Sequence, residues 1–325
     1  MTSPTSPIFP CPNELRPDAL GLLYRRVPEE FRRQLIADSL AEAEAGRVDL
    51  SGLWVARRRG KMAGVLLTQP LAGRAAAVWA PEVELSWGRG ALASGLIRNA
   101  LEDLRARGFR IAQALVDASA PRTAAVDLSR GGMPRITALT YMHRDTARPM
   151  GRTFPRDRPS FDWRPFGPET EAEFHAVLQR TYLSSLDMPE LEGIRSLDDV
   201  MASHRAAGRF DPSRWRVGTL PGEPEAAAVL LLSEVPDRPA WEVTYLGLTP
   251  PARGRGLGRA VLAFALDLAR AHVPRLELAV DDRNHPARHL YDGAGFLPFD
   301  RRLVHLAVLN RDPTAPAGPV NGAST

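Results

Sequence analysis

The sequence predicts an α/β (α+β) chain of two tandem domains. Three observations predict it. The chain has 325 residues, room for two domains of roughly 100–200 residues each. The order of strand-like and helix-like runs before residue 150 recurs after residue 163. Each copy also carries a glycine-rich turn between an apolar strand and an apolar helix.

The elements follow in order. In the first copy GLWVARR, a turn at Gly60-Lys61 and MAGVLLTQPL read as a hairpin. AAAVWAPEVEL is strand-like. GRGALASGLIRNALEDLRARG is a helix with Leu92, Leu96, Ile97, Leu101 and Leu104 on one face. RIAQALVD is a strand, AAVDLSRGGM a short helix, and TALTYMHRD a closing strand. The second copy opens with the amphipathic helix TEAEFHAVLQRTYL. RWRVGTL and AAAVLLLSEV form a hairpin across PGEPE, and WEVTYLGL is the next strand. After the glycine turn come the helix RAVLAFALDLARAH, the strand RLELAVD, the short helix HPARHLYDGAGF and the last strand RRLVHLAVL. Superposing the long helices sets Leu257 against Leu92, a period of about 165 residues, which fits a duplication and not a solenoid. The boundaries expected are a degenerate first domain at 1–150, a Pro- and Arg-rich linker at 151–164, a second domain at 165–312 and a disordered tail at 313–325. The Pro/Ser/Thr-rich start is expected to be disordered too.

Composition narrows the function. The net charge is +4 with a pI near 9.7, and all but one basic residue, Lys61, is arginine or histidine. These arginines are scattered among nearly as many acids, which argues against nucleic acid as a partner. A lone cysteine, Cys11, permits no internal disulfide and fits a reducing compartment. The N-terminus lacks a basic segment followed by an apolar one, and no run approaches 18 apolar residues, so neither a signal peptide nor a membrane span is expected. A cytoplasmic monomer or homodimer is the expectation. His285 and His289 stand at i, i+4 without a third ligand nearby, so no metal site is expected.

The turn Arg253-Gly254-Arg255-Gly256-Leu257-Gly258 carries the chemistry. Glycine permits positive φ and close backbone approach. A helix N-terminus offers unpaired N–H groups and partial positive charge, so the pair suits phosphate or pyrophosphate. The turn lies too late in its domain for a dinucleotide-binding fingerprint, and the Gly-Lys-Ser/Thr of a P-loop is absent.

LGLTPPARGRGLG followed by LAVDDRNHPARHLYDGAGF resembles the GCN5-related N-acetyltransferase (GNAT) superfamily. Arg253, Gly256, Gly258, Asn284, Tyr291, Gly295 and Phe296 match its motifs. The likeness covers about 165–310 with intact motifs and 15–145 in outline, and the tandem plan is similar to that of the mycothiol synthase family, with no substrate carried over. The resemblance implies mixed, mostly antiparallel twisted sheets flanked by helices. It also implies an N-acetyltransferase using acetyl-CoA (acyl-CoA) as co-substrate, without metal, on a small-molecule or peptide amine acceptor. In that reading the loop 253–258 grips pyrophosphate, amides at Leu246 and Leu248 pair with the pantetheine arm, and Gly247 eases a bulge. Tyr291 is the general acid or a packed core residue. Asn284 binds the cofactor or caps a helix. Glu242 is a base or an exposed strand end. Asp187 and Glu190 are candidates to bind a cationic acceptor, against the reading of a polar loop.

The first copy is expected to have lost function. Its superposed loop is Gly88-Arg89-Gly90-Ala91-Leu92-Ala93, and Pro81 stands in the strand where an N–H is needed. The Asn position falls near Pro121, and Leu128 or Ser129 replaces the tyrosine. A non-catalytic acyl-CoA sensor and a tRNA-dependent aminoacyl transferase are the alternatives.

Overall fold

A computed structural model describes residues 7–149 and 160–311. The tail expected at 313–325 and most of the linker expected at 151–164 lie outside the described residues, as do residues 1–6.

Contacts divide the chain into two compact units. Among the described residues, one comprises 7–136 with 303–311, the other 137–149 with 160–302.

In the first unit the elements are β1 (Ile8–Pro10), α1 (Arg16–Leu23), α2 (Glu29–Glu44), β2 (Leu53–Arg58), β3 (Lys61–Leu71), β4 (Ala75–Val78), β5 (Glu82–Val83), α3 (Arg89–Ala106), β6 (Ile111–Asp117) and α4 (Arg122–Gly131). The sheet order is β1-β2-β3-β4-β6, with β5 on β3. Only β4–β6 is parallel among these pairs. The five residues expected on one face of α3 are all buried. Part of the start expected to be disordered is a strand, because Ile8–Pro10 pairs with Ala56–Trp54 of β2. The strand-like run 75–85 breaks into β4 and β5 on either side of Pro81.

β7 (Arg135–Asp145) runs into the second unit, which continues with β8 (Asp162–Pro165), α5 (Glu171–Tyr182), α6 (Leu197–Ala206), β9 (Trp215–Thr219), β10 (Ala226–Glu234), β11 (Ala240–Leu248), α7 (Leu257–Arg270), β12 (Arg275–Asp281), α8 (His285–Gly293) and β13 (Leu297–Val308). The order is β7-β12-β11-β10-β9-β8. The contact boundary departs from the repeat boundary for a definite reason. The strand that closes the first copy in sequence, β7, pairs antiparallel with β12, Asp145–Leu139 against Arg275–Asp281. Likewise β13 ends in the first unit, where Leu306 N–H donates to Pro134 O at 3.1 Å. The copies have exchanged closing strands.

α7 fixes the core of the second unit. Leu257, Val261, Leu262, Ala265, Leu266 and Ala269 recur at helical spacing and are all buried, packed with Trp241 and Val243 of β11 and Leu276 and Leu278 of β12. α5 covers the other face, burying Phe174, Val177 and Leu178 against Trp215, Val217, Val229 and Leu231. The sheet is therefore covered on both faces.

Candidate active site in the second unit

Two strands part in the middle of this sheet. β11 and β12 pair in parallel only from Ala240–Val243 against Arg275–Leu278. Beyond that point β12 continues along β7, and β11 continues along β10 alone. Thr249 N–H donates to Ala227 O at 2.9 Å. In an antiparallel ladder N–H directions alternate, so the amides of Leu246 and Leu248 point away from β10, into the gap. The register shifts between Leu231 and Leu232, leaving Thr244 as the extra residue. The bulge is thus three residues before Gly247, correcting the expectation for that glycine. What Gly247 permits is close packing: a Cβ there would lie 2.6 Å from Tyr245 Cε1 and 2.7 Å from Thr181 Oγ1.

The glycine turn follows the gap. Gly254 (φ +73°) and Gly256 (φ +74°) are left-handed, and Gly256 is the N-cap of α7. Among the described residues, the N–H groups of Gly254, Arg255, Gly256, Leu257 and Gly258 donate to no protein acceptor. Arg253 does something other than expected. Its guanidinium donates to Leu248 O (3.1 Å), Leu183 O (2.8 Å), Ser184 O (3.1 Å) and Thr181 O (2.8 Å). Its own N–H donates to Pro250 O. Arg253 ties the turn to the end of α5, and the run of unpartnered amides begins at Gly254. Arg255 pairs with Glu223 at 3.0 Å.

Tyr291 projects from α8 into the core beneath the gap. It is 7% exposed, and its ring packs on Phe296. Burial, then the charge of Asp187 and the neighbouring Tyr245, push its hydroxyl pKa well up. Asn284 caps α8, its Oδ1 accepting from Ala287 N–H at 3.2 Å, which leaves its amide NH₂ to serve elsewhere.

A cavity of about 230 Å³ opens between α5, α6 and β11. Asp187 lines it, together with Tyr182, Arg195, His204, Thr244 and Tyr245. Asp187 reaches solvent through the cavity, yet the surrounding protein and then Asp281 push its carboxyl up to about 6, against the pull of Arg283. Burial above all raises the hydroxyl pKa of Tyr182, Tyr245 and Tyr291, and the Asp187 charge adds a smaller upward push to each. Tyr182 OH meets His204 Nε2 at 2.6 Å, and burial, aided by Arg195, pulls that imidazole down to about 4. His204 is therefore neutral at physiological pH. Tyr245 OH meets Thr181 Oγ1 at 3.0 Å. Glu190, in contrast, is held by Arg283 in a two-bond fork at 2.5 and 2.9 Å.

Glu242 is neither an exposed strand end nor part of this cavity wall. Trp241 and Val243 face α7, so Glu242 points to the opposite face, half-buried beside Glu277 of β12. Burial and then Glu277 push its carboxyl up, with Arg238 opposing. Sequence reasoning missed Tyr182, Tyr245, Arg195 and His204. Aromatic and basic residues on helices and apolar strands read as core or surface, and only the bulge and the α5–α6 loop bring them together.

The first unit answers at each point. Gly88 (φ +77°) caps α3 as Gly256 caps α7. That match sets Arg89, not Leu92, against Leu257, a three-residue correction to the superposition. The short helices start after Pro121 and Asn284, which sets the fully buried Leu128 against Tyr291. Arg89 pairs with the buried Asp127 at 2.6 Å.

Residues 182–296 match the model of the Acetyltransferase (GNAT) family. The chain's relatives are more particular. A mycothiol acetyltransferase from Beutenbergia cavernae is 40% identical over 136 residues, 42% of this chain and 44% of that protein. Another from Kineococcus radiotolerans is 32% identical over 179 residues, 52% of this chain and 53% of that protein. The alignments thus span about half the length of these curated relatives. Among solved structures, a GCN5-related N-acetyltransferase from Sphaerobacter thermophilus has a TM-score of 0.57 at 17% identity, covering 95% of this chain and 98% of that one, a likeness of fold. Among the described residues no helix is long and apolar enough to cross a membrane.

Proposed function

We propose that the second unit transfers an acetyl group from acetyl-CoA to the amine of a small-molecule acceptor. The observation that carries this reading is the row of five unpartnered amides at Gly254–Gly258, set at the mouth of the parted strands. Unpaired N–H groups at a helix N-terminus favour a pyrophosphate. The amides of Leu246 and Leu248 supply donors for an extended amide-bearing arm lying in the gap, and one of them can stabilise the oxygen of the reacting carbonyl.

Acyl transfer to an amine needs the ammonium proton removed and a proton given to the departing thiolate. Tyr291 holds the second proton. Burial keeps its hydroxyl protonated at neutral pH. Glu242 or Asp187 takes the first, and both carboxyls are shifted toward neutrality, which makes them better bases. Asp187 holds the acceptor's ammonium end in the cavity. Glu190, bound to Arg283, shapes the loop instead. The first unit is a structural or acceptor-shaping partner.

The name of the relatives makes a mycothiol-class amine the first acceptor to try. The test is thiol release from acetyl-CoA across a panel of amines, including that class. Acceptor-dependent release that is lost in Tyr291→Phe supports the reading. Tight coenzyme A binding with no release for any acceptor would make the domain a sensor and end the proposal.

A further inference from the structure

A second cavity of about 410 Å³ lies in the same unit, at the end of β11 opposite the glycine turn. The end of β7, the turn into β11, the start of β12 and the residues after α8 form its wall. Arg144 is the anomaly in this wall. It is 2% exposed. Its Nη2 donates to Arg148 O at 2.6 Å, while its Nε and Nη1 are buried without a partner. Among the described residues no carboxylate forms an ion pair with Arg144 or Arg148. A guanidinium does not escape burial by losing its proton, so a buried one without a counter-charge is costly.

The acids at hand are engaged. Glu277 takes Arg238 at 2.7 Å and Arg275 at 4.0 Å. The Asp145 carboxylate accepts from Ala147 N–H at 2.8 Å. Arg144, Arg148, Arg238 and Arg275 thus line the cavity against Asp145 and Glu277, an excess of two positive charges. Arg270 adds to the field around Arg144 from α7.

We propose that this cavity binds a small phosphate-bearing anion, held by Arg148 and Arg275, with the uncompensated charge of buried Arg144 behind them. A phosphate monoester carries about −1.5 to −2 charge and three acceptor oxygens in one group, which matches both the excess charge and the fork geometry of guanidinium donors. The volume leaves space for an organic portion, within the range of small-molecule sites. This site is separate from the amides of the glycine turn and does not depend on the acetyl-transfer reading.

The test uses the full chain saturated with coenzyme A, so that the glycine turn is filled. Inorganic phosphate is titrated at constant ionic strength, by calorimetry and by its effect on Tm. Wild type should bind saturably and melt higher with phosphate. The double substitution Arg148→Gln with Arg275→Gln should weaken binding at least tenfold. Arg209→Gln, which removes one charge elsewhere in the unit, should leave binding unchanged. Arg144→Met removes the unpaired charge, so it should melt at or above wild type in phosphate-free buffer and show a weaker phosphate response. No saturable binding by wild type, or an undiminished response in the double variant, would overturn the proposal. So would a clear drop in the Tm of Arg144→Met without phosphate, or tighter binding of citrate than of phosphate.

Discussion

Asp187→Asn removes a charge and almost nothing else, and the structure predicts three separate consequences. The first is kinetic. With the carboxyl pushed up to about 6, a rate that needs it ionised falls about tenfold per pH unit below that value. Wild type at pH 5 should therefore run about tenfold below its plateau, and the variant should lose this limb. If Asp187 is the base, the plateau drops by about 10²–10⁴. If it only holds the ammonium, KM rises and kcat stands. The second consequence is spectroscopic. Burial dominates the raised pKa of Tyr182, Tyr245 and Tyr291, so removing the Asp187 charge that adds to it should lower the alkaline midpoint of their tyrosinate absorbance by a small amount. The third is stability. A folded pKa above the ordinary 3.8 means that the folded state binds the extra proton between about 4 and 6, so wild-type stability declines as pH rises through that window. The variant should gain over wild type above pH 6, and the gap should close below pH 4. An acid limb that persists unchanged in Asp187→Asn would refute the assignment and pass the role to Glu242.

Three further outcomes follow from the same geometry. Tyr291→Phe should keep coenzyme A affinity while slowing turnover by about 10²–10⁴; an unchanged kcat would return the residue to packing. Calorimetry should find one coenzyme A per chain, since Asp127 of α4 is already paired with Arg89 at the first turn of α3; a stoichiometry near two would show the first unit to be competent. Gly247→Ala forces a Cβ against Tyr245 and Thr181, so overpacking should cost about 1–3 kcal/mol and lower Tm; an unaltered Tm would mean that β11 yields freely at this point.

Much of the fold was legible because its signals are local. The apolar stripes of α3 and α7 and the short strands between turns were all visible as periodicity. What escaped depends on pairing or on weak patterns. α2 buries no residue and leaves Phe31 63% exposed, so no apolar stripe marked it. The closing strands carry no signal of which copy they will join, because alternation fixes a strand's faces and not its neighbour. The superposition of the long helices slipped by three residues, since a shift of three nearly restores the same face of a helix. Only the capping glycines fix that register. The motif Arg253 was visible, but its role was not. A sequence shows a cation beside a phosphate-like loop, while the structure shows that cation spent on carbonyls at the end of α5.

Gly88 and Gly256 take almost the same left-handed conformation before their helices, at φ +77° and +74°, so backbone shape does not separate the two copies. The difference lies in what stands beside each helix start. In the first unit a carboxylate, Asp127, is already buried against Arg89 in the first turn. Burial pushes that carboxyl up and Arg89 holds it against protonation, so the charge favoured at a helix N-terminus comes from within the chain. In the second unit Leu257 takes the Arg89 position, the five amides from Gly254 to Gly258 remain unpartnered, and Tyr291 stands where the first unit buries Leu128. One copy closes its helix start with its own ion pair. The other leaves its helix-start amides open to an anion and keeps a protonated tyrosine on the following short helix, which is why we propose the chemistry for the second unit.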